Sequence, residues 1–304
     1  MHARSQLLIR ARRKGGISLP LFRRHLGTPK TAFTEFHAAE RYCAVLRSEG
    51  FAVTEGQAGI PTAFSGRFGS GRPVIGILAE FDALSGLSQE GGLTEQRSAG
   101  GDCGHGCGHN LLGMASLGAA LMTGTTVEIG FVKACSDTVL NDTLQRALYE
   151  KMAQIGVPEI TAADEAYARE LTQKALMEYP KADPAHPIHA ELLPYTGQIE
   201  YECGSTDVGD VSWLCPTVQA KTATWAFGTP GHSWQTVTQG VMPLAHKMTL
   251  YAAKSLAALG AELMVNAGLL AQARQEHRRL VGPEGYVCPI PQGVRPRSME
   301  SLHK

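Results

Sequence analysis

The chain of 304 residues has no run of apolar residues long enough to read as a membrane span, and no excess of either charge, 28 Lys and Arg facing 28 Asp and Glu. The first absence argues against a membrane partner, and the second against the basic surface that a nucleic-acid partner requires. There is no regular cysteine frame either. The seven cysteines (43, 103, 107, 135, 203, 215 and 288) are odd in number and scattered, which suits a reducing compartment and sets the cytoplasm as the expected location. No Asp or Glu occurs before Glu35, whereas Arg4, Arg10, Arg12, Arg13, Lys14, Arg23, Arg24 and Lys30 do. That acid-poor, Arg-rich opening has the composition of an organelle transit peptide, the alternative location. The Leu7-Leu8-Ile9 core is too short for a secretory signal. No internal repeat is visible, and nowhere do two glutamates stand side by side.

What is present centres on residues 101–110, where Cys103, His105, Cys107 and His109 alternate with glycine. On an extended backbone all four side chains would leave one face, a comb of thiol and imidazole groups of the kind that binds zinc and similar divalent ions. The glycines would let the backbone crowd a metal centre. Read on its own, the comb is compatible with a closed four-ligand zinc module or with cysteines and histidines in a Gly-rich loop.

Residues 31–48 predict an amphipathic helix on the spacing of Phe33, Phe36, Ala39, Cys43 and Leu46, ended by Gly50. Residues 51–54 and 62–68 predict strands, and the continuous apolar run 73–79 predicts a buried strand covered on both faces. That strand delivers Glu80-Phe81-Asp82, carboxylates at the strand end where open α/β sheets place their active sites. Asn110 is placed to cap a small-residue helix over 111–122. Residues 127–132 predict a short strand following almost without connection. Asn141 and Asp142 introduce a helix with Leu144, Leu148, Met152 and Ile155 on one stripe, and 162–179 a second. His186 and His189 fall in a Pro-containing loop and read as exposed. In the polar cluster 204–213, Asp207 and Asp210 can serve as helix caps or as site residues. Residues 218–227 alternate as a strand leading into the Gly- and Pro-bounded loop 228–234 that holds His232, and two further helices follow over 243–263 and 268–280.

Four stretches carry a family resemblance: Pro73 to Leu84, His105 to Gly113, Gly204 to Trp213 and Gly228 to Gln235, in that order along the chain. They resemble the dinuclear-metal amidohydrolases of the aminoacylase and carboxypeptidase superfamily, and weaker similarity extends over most of 31–297. The resemblance implies an α/β fold with an αβα sandwich catalytic domain, two divalent ions, Zn or Mn, and hydrolysis of N-acyl or N-aroyl amino acids such as p-aminobenzoyl-glutamate by metal-activated water. It makes Cys107, His109 and His232 metal ligands, Asp82 the carboxylate that orients a ligand, and Asp207 part of the substrate-facing loop. Cys103 and His105 receive no family role. The expected partner is a small N-acyl amino acid, with a homo- or hetero-oligomer as the assembly.

The chain departs from that pattern at 121–125. Family members place there a strand ending in a Glu-Glu pair, one the general base and the other a ligand, and then a lid and dimerisation domain. This chain runs on without either. The expected organisation is a basic leader over 1–30, one metallohydrolase-like domain over 31–297 with the lid largely absent, and a tail over 298–304. With the base missing, hydrolysis needs one supplied by a partner subunit or by another carboxylate such as Glu80. Otherwise the protein is an inactive remnant or a structural zinc module.

Overall fold

The computed structural model describes residues 29–123, 127–128, 136–199 and 206–288. The leader up to residue 28, Cys135, Cys203, Gly204, Ser205, most of the predicted 127–132 strand and the tail lie outside the described residues.

Helix α1 (Phe36–Ser48) buries Ala38, Ala39, Tyr42, Cys43 and Leu46. The predicted inward stripe is right from Ala39 onward. Phe36 is instead 56% exposed, and Phe33 precedes the helix in the left-handed region at φ 69°. The helix closes on Gly50 (φ 88°), with Phe51 N–H donating to the Leu46 carbonyl and Gly50 N–H to that of Arg47, the paired bonds of a Schellman end. The chain then turns into β1 (Ala52–Glu55), which pairs antiparallel with β2 (Phe64–Arg67), and β2 pairs antiparallel with β5 (Val127–Glu128). Gly66 in β2 lies so close under α1 that a Cβ there would meet the Leu46 side chain at 2.9 Å.

The predicted strand over 73–79 joins no ladder with the named strands. A parallel strand buried on both faces needs neighbours at both edges, and this segment instead turns its carbonyls toward helix α2 (His109–Thr123). The Ser116 hydroxyl donates to the Leu78 carbonyl, and Gly113 sits where a Cβ would come within 2.7 Å of the Glu80 carbonyl oxygen. Side chains still alternate. Ile77, Ala79 and Phe81 are buried, while Glu80 and Asp82 point the other way and stay partly open. Phe81 stacks on Tyr42 and on Phe64, with ring centroids 5.1 and 5.8 Å apart, so α1, β2, α2 and the 77–81 segment share one core.

A second core is helical. α3 (Asp142–Ile155) is capped by Asn141, whose side chain accepts from Leu144 N–H as expected, and α4 (Ala162–Leu171) starts on a capping box between Thr161 and Asp164. After α5 (Val208–Leu214) and α6 (Trp234–Gln239) comes α7 (Pro243–Val265), with Pro243 in its first turn, and then α8 (Ala267–Val281). Leu144, Leu148 and Met152 of α3 pack against Leu244, Met248 and Tyr251 of α7 and Ala273 of α8. By length and composition alone α7 could cross a bilayer, which the sequence reading did not foresee. Its buried residues instead face α2 and α3, and Gly118 of α2 approaches within contact of Ala253. Residues 218–227 form no strand. They run extended, tied by Phe227 N–H to the Pro187 carbonyl and by Ala226 N–H to Gln239 Oε1. The described chain is thus mixed α/β, rich in helix, with few and short strands and an antiparallel three-stranded sheet.

Candidate metal centre

The comb does not stay extended. Cys103 and Gly104 form β4, paired with β3 (Leu84–Ser85), and the chain turns at Gly106 and Cys107 before entering α2. The turn divides the four side chains. Cys103 lies opposite Ser85, and His105 is buried, its Nδ1 donating to the Asp82 carbonyl oxygen over 3.2 Å. A closed four-ligand zinc module is therefore not what the comb builds. Its glycines serve close packing instead. A Cβ on Gly104 would fall 1.9 Å from the Leu87 carbonyl oxygen, one on Gly106 2.4 Å from Leu87 Cδ1, and one on Gly108 2.8 Å from Trp225 Cζ2. Gly108 also occupies the left-handed region (φ 78°) and gives its carbonyl to the N–H groups of Leu111 and Leu112. The predicted cap, Asn110, stands inside the helix as its second residue and is fully buried, both side-chain atoms lacking partners in the structure.

Cys107 and His109 do converge, with Asp82, Glu80 and Asp207. His109 Nδ1 lies 2.6 Å from Asp82 Oδ1 and its Nε2 lies 3.0 Å from Glu80 Oε2, while the Cys107 side chain hydrogen-bonds the same imidazole. Glu80 in turn hydrogen-bonds Asp207. The row reads Asp82, His109, Glu80, Asp207, a carboxylate on each side of an imidazole and a further carboxyl behind. Burial would push His109 toward neutrality, but its hydrogen bonds to Asp82, Cys107 and Glu80 outweigh this and raise its pKa to about 12. The bond from His109 holds Glu80 below the usual carboxylate range; burial works against the same bond at Asp82 and loses. Asp207 goes the opposite way. Burial first, then the adjacent Glu80 charge, raises it to about 6.

Asp207 stands at the N-terminal position of α5 without capping it, so its side chain is left to the site. Asp210, three residues on, has the structural role. Its carboxylate accepts from the Ser136 N–H and hydroxyl and from the Tyr286 hydroxyl. His232 reaches the comb through its backbone, its N–H donating to the Gly106 carbonyl over 2.8 Å. It takes a left-handed φ of 56°, and its side chain is exposed. Among the described residues no group of three or more His, Cys, Asp or Glu is gathered at metal-binding distances.

The donor types nevertheless fit one divalent cation. With Nδ1 held by Asp82, Nε2 is the imidazole nitrogen that a cation would take, by displacing the proton it shares with Glu80. Two carboxylates flanking one imidazole, with a third carboxyl behind Glu80, are a charge excess that a cation would relieve. Glu80 is the member that sequence reasoning undervalued. Its two-residue offset from Asp82 on an extended segment puts both carboxylates on one face, and that signal was available. Trp225 was not singled out at all, and only its contact with Gly108 reveals it.

No family model matches the sequence. The chain is similar to the B subunit of p-aminobenzoyl-glutamate hydrolase from Escherichia coli (strain K12), 27% identical over 453 residues that take in 90% of this chain and 94% of the relative. That alignment is longer than this chain of 304 residues, so a long stretch of the relative has no counterpart here. Among solved structures, "The crystal structure of a putative aminohydrolase from methicillin resistant Staphylococcus aureus" aligns at 22% identity and a TM-score of 0.35, covering 41% of this chain and 33% of its own. The ordered motifs and an alignment that takes in nearly all of both chains make this chain similar to that hydrolase component, over a shorter length.

Proposed function

We propose that this chain is a metal-dependent amidohydrolase acting on N-acyl or N-aroyl amino acids, with one divalent cation, Zn or Mn, where the family pattern has two. The observation that carries the reading is the convergence of Glu80, Asp82 and Cys107 on the His109 imidazole, with Asp207 bonded behind Glu80. Cys107 and His109, bonded to each other, are the pair that would hold the cation, and His232 borders them through its backbone bond to Gly106. When bound, the cation lowers the pKa of a water and polarises the amide carbonyl.

The chain's own groups then have separable tasks. Asp82 Oδ1 keeps the proton on His109 Nδ1 and fixes the ring plane. Glu80, the carboxylate nearest the imidazole edge, stands in for the missing glutamate base. Asp207, raised to about 6 and bonded to Glu80, can receive the proton that Glu80 takes from the water and pass it to the departing amine. The parent αβα architecture, with its lid removed, is the fold that this reading assumes.

The absence of any Glu-Glu pair favours a second reading, a remnant that binds the ion and does not hydrolyse. One experiment separates the two: purified protein, loaded with Mn or Zn, is incubated with p-aminobenzoyl-glutamate, and released p-aminobenzoate is measured. Slow release that Glu80→Gln and Cys107→Ala each abolish supports the enzyme. Bound metal without release supports the remnant, and no bound metal at all overturns both.

A further inference from the structure

Trp225 carries a buried indole N–H with no acceptor in the structure. An orphaned buried donor costs about 1–3 kcal/mol, so such a group marks a place where a partner belongs. Its position is defined by Gly108. The space that a methyl group on Gly108 would fill lies 2.8 Å from Trp225 Cζ2, 3.4 Å from Cη2 and 3.9 Å from Cε2, the carbon bonded to Nε1. The edge of the indole next to its N–H thus lies against the residue between Cys107 and His109. The ring is held there firmly. Ala226 N–H donates to Gln239 Oε1 over 2.7 Å, and Gln239 Nε2 donates to the Thr229 hydroxyl and the Gln235 carbonyl. The other indole with an assigned bond is different in kind, Trp213 Nε1 donating to the Asp137 carbonyl over 2.9 Å.

We infer that Trp225 is a specificity-determining residue whose Nε1–H donates to the carbonyl oxygen of the substrate amide. The inference rests on the amidohydrolase reading above. The chemistry of the surroundings selects this oxygen. Glu80, Asp82 and Asp207 make the cluster acidic, which repels a substrate carboxylate. A neutral donor packed on Gly108, between Cys107 and His109 in the chain, suits a neutral carbonyl that gains negative charge as the amide is attacked. Gly108 is then required twice, for its left-handed backbone and for the room it leaves the ring.

The test uses the full chain with Mn bound, comparing wild type with Trp225→Phe, which keeps an aromatic ring on Gly108 and removes the donor. Calorimetry is expected to show p-aminobenzoyl-glutamate binding weakened about tenfold by the substitution, the scale of one hydrogen bond. Binding of Mn, and of p-aminobenzoate and glutamate, which lack the amide carbonyl, should be unchanged. In ¹⁵N spectra of the wild type, the indole signal missing from Trp225→Phe should move downfield when p-aminobenzoyl-glutamate is added. Equal affinities for the amide overturn the inference, as does an equal loss for the two products, which would mean a carboxylate contact. Binding of the amide with the indole shift but no hydrolysis sustains the inference and removes the catalytic reading. A wild type that binds neither amide nor products overturns both.

Discussion

The two cores of this protein obey different rules. In the helical core of α3, α7 and α8, each element closes most of its own hydrogen bonds, so its local pattern suffices. Asn141 caps α3, and Leu144, Leu148 and Met152 turn inward as their spacing dictates. In the region of the comb, backbone groups must find partners far along the chain, and the pattern is a poorer guide. Residues 73–79 and 218–227 both carry strand sequences, and among the described residues neither pairs in a ladder with the named strands, because a strand is defined by its neighbours. The lesson is that a helix is written in its own segment, whereas a strand is written in two segments at once.

The contrast can be tested at both ends. Leu148→Ala, in the fully buried centre of the helical core, should cost about 3–5 kcal/mol in chemical denaturation while leaving the affinity for Mn per folded molecule unaltered. Gly104→Ala drives a methyl group into the Leu87 carbonyl and should cost about 3 kcal/mol, with Mn binding lost as well. A stability loss that spares Mn binding would show that the packing of the comb is independent of its ligands.

Within the site, Asp82→Asn should weaken Mn affinity by about 10- to 100-fold with little change in unfolding temperature, measured by competition with a chelator. Asp207→Asn should act in opposite directions on stability and binding. The folded-state pKa of Asp207, about 6, lies above its ordinary 3.8, so the folded protein holds that proton more tightly than the unfolded chain. Its contribution to stability is complete below about 3.8 and is lost as pH rises through 6. The metal-free variant should therefore be more stable than wild type at pH 7.5, by about 1 kcal/mol after solvent screening, and show no gain at pH 3.5. Its Mn affinity should fall. A gain at pH 3.5 as large as at pH 7.5 would mean that the cost of ionising the buried Asp207 beside Glu80 is not the cause. The smallest effect belongs to Gly268→Ala in α8, a helical position with room for a methyl, which should stabilise the protein by about 0.5–1 kcal/mol.

These contrasts mark how much the sequence disclosed. Cys107, His109, Asp82 and Asp207 were legible as a group through the order of the motifs, and the structure brings them together. The bulk of α1, α2, α3 and α7 was legible through periodicity. The one-sided comb was not, because the turn at Gly106 and Cys107 is imposed by Leu87 and Trp225, residues 19 and 118 positions from Gly106 and Cys107 respectively that no local pattern connects to them. The division of labour between Asp207 and Asp210 was equally invisible, since it depends on which side of α5 meets Ser136 and Tyr286. The apolar length of α7 hid in plain view, its charged residues too few to offset its alanines and leucines.

The bond from His232 N–H to the Gly106 carbonyl sets the order in which this molecule can be assembled. It joins segments more than a hundred residues apart, so the chain must surrender the freedom of a very large loop before this contact returns anything, and such contacts are among the slow ones in folding. The comb can be made early during synthesis, yet the backbone that borders it arrives only when the last third of the chain has emerged. Until then the turn at Cys107 stands without the loop that borders it.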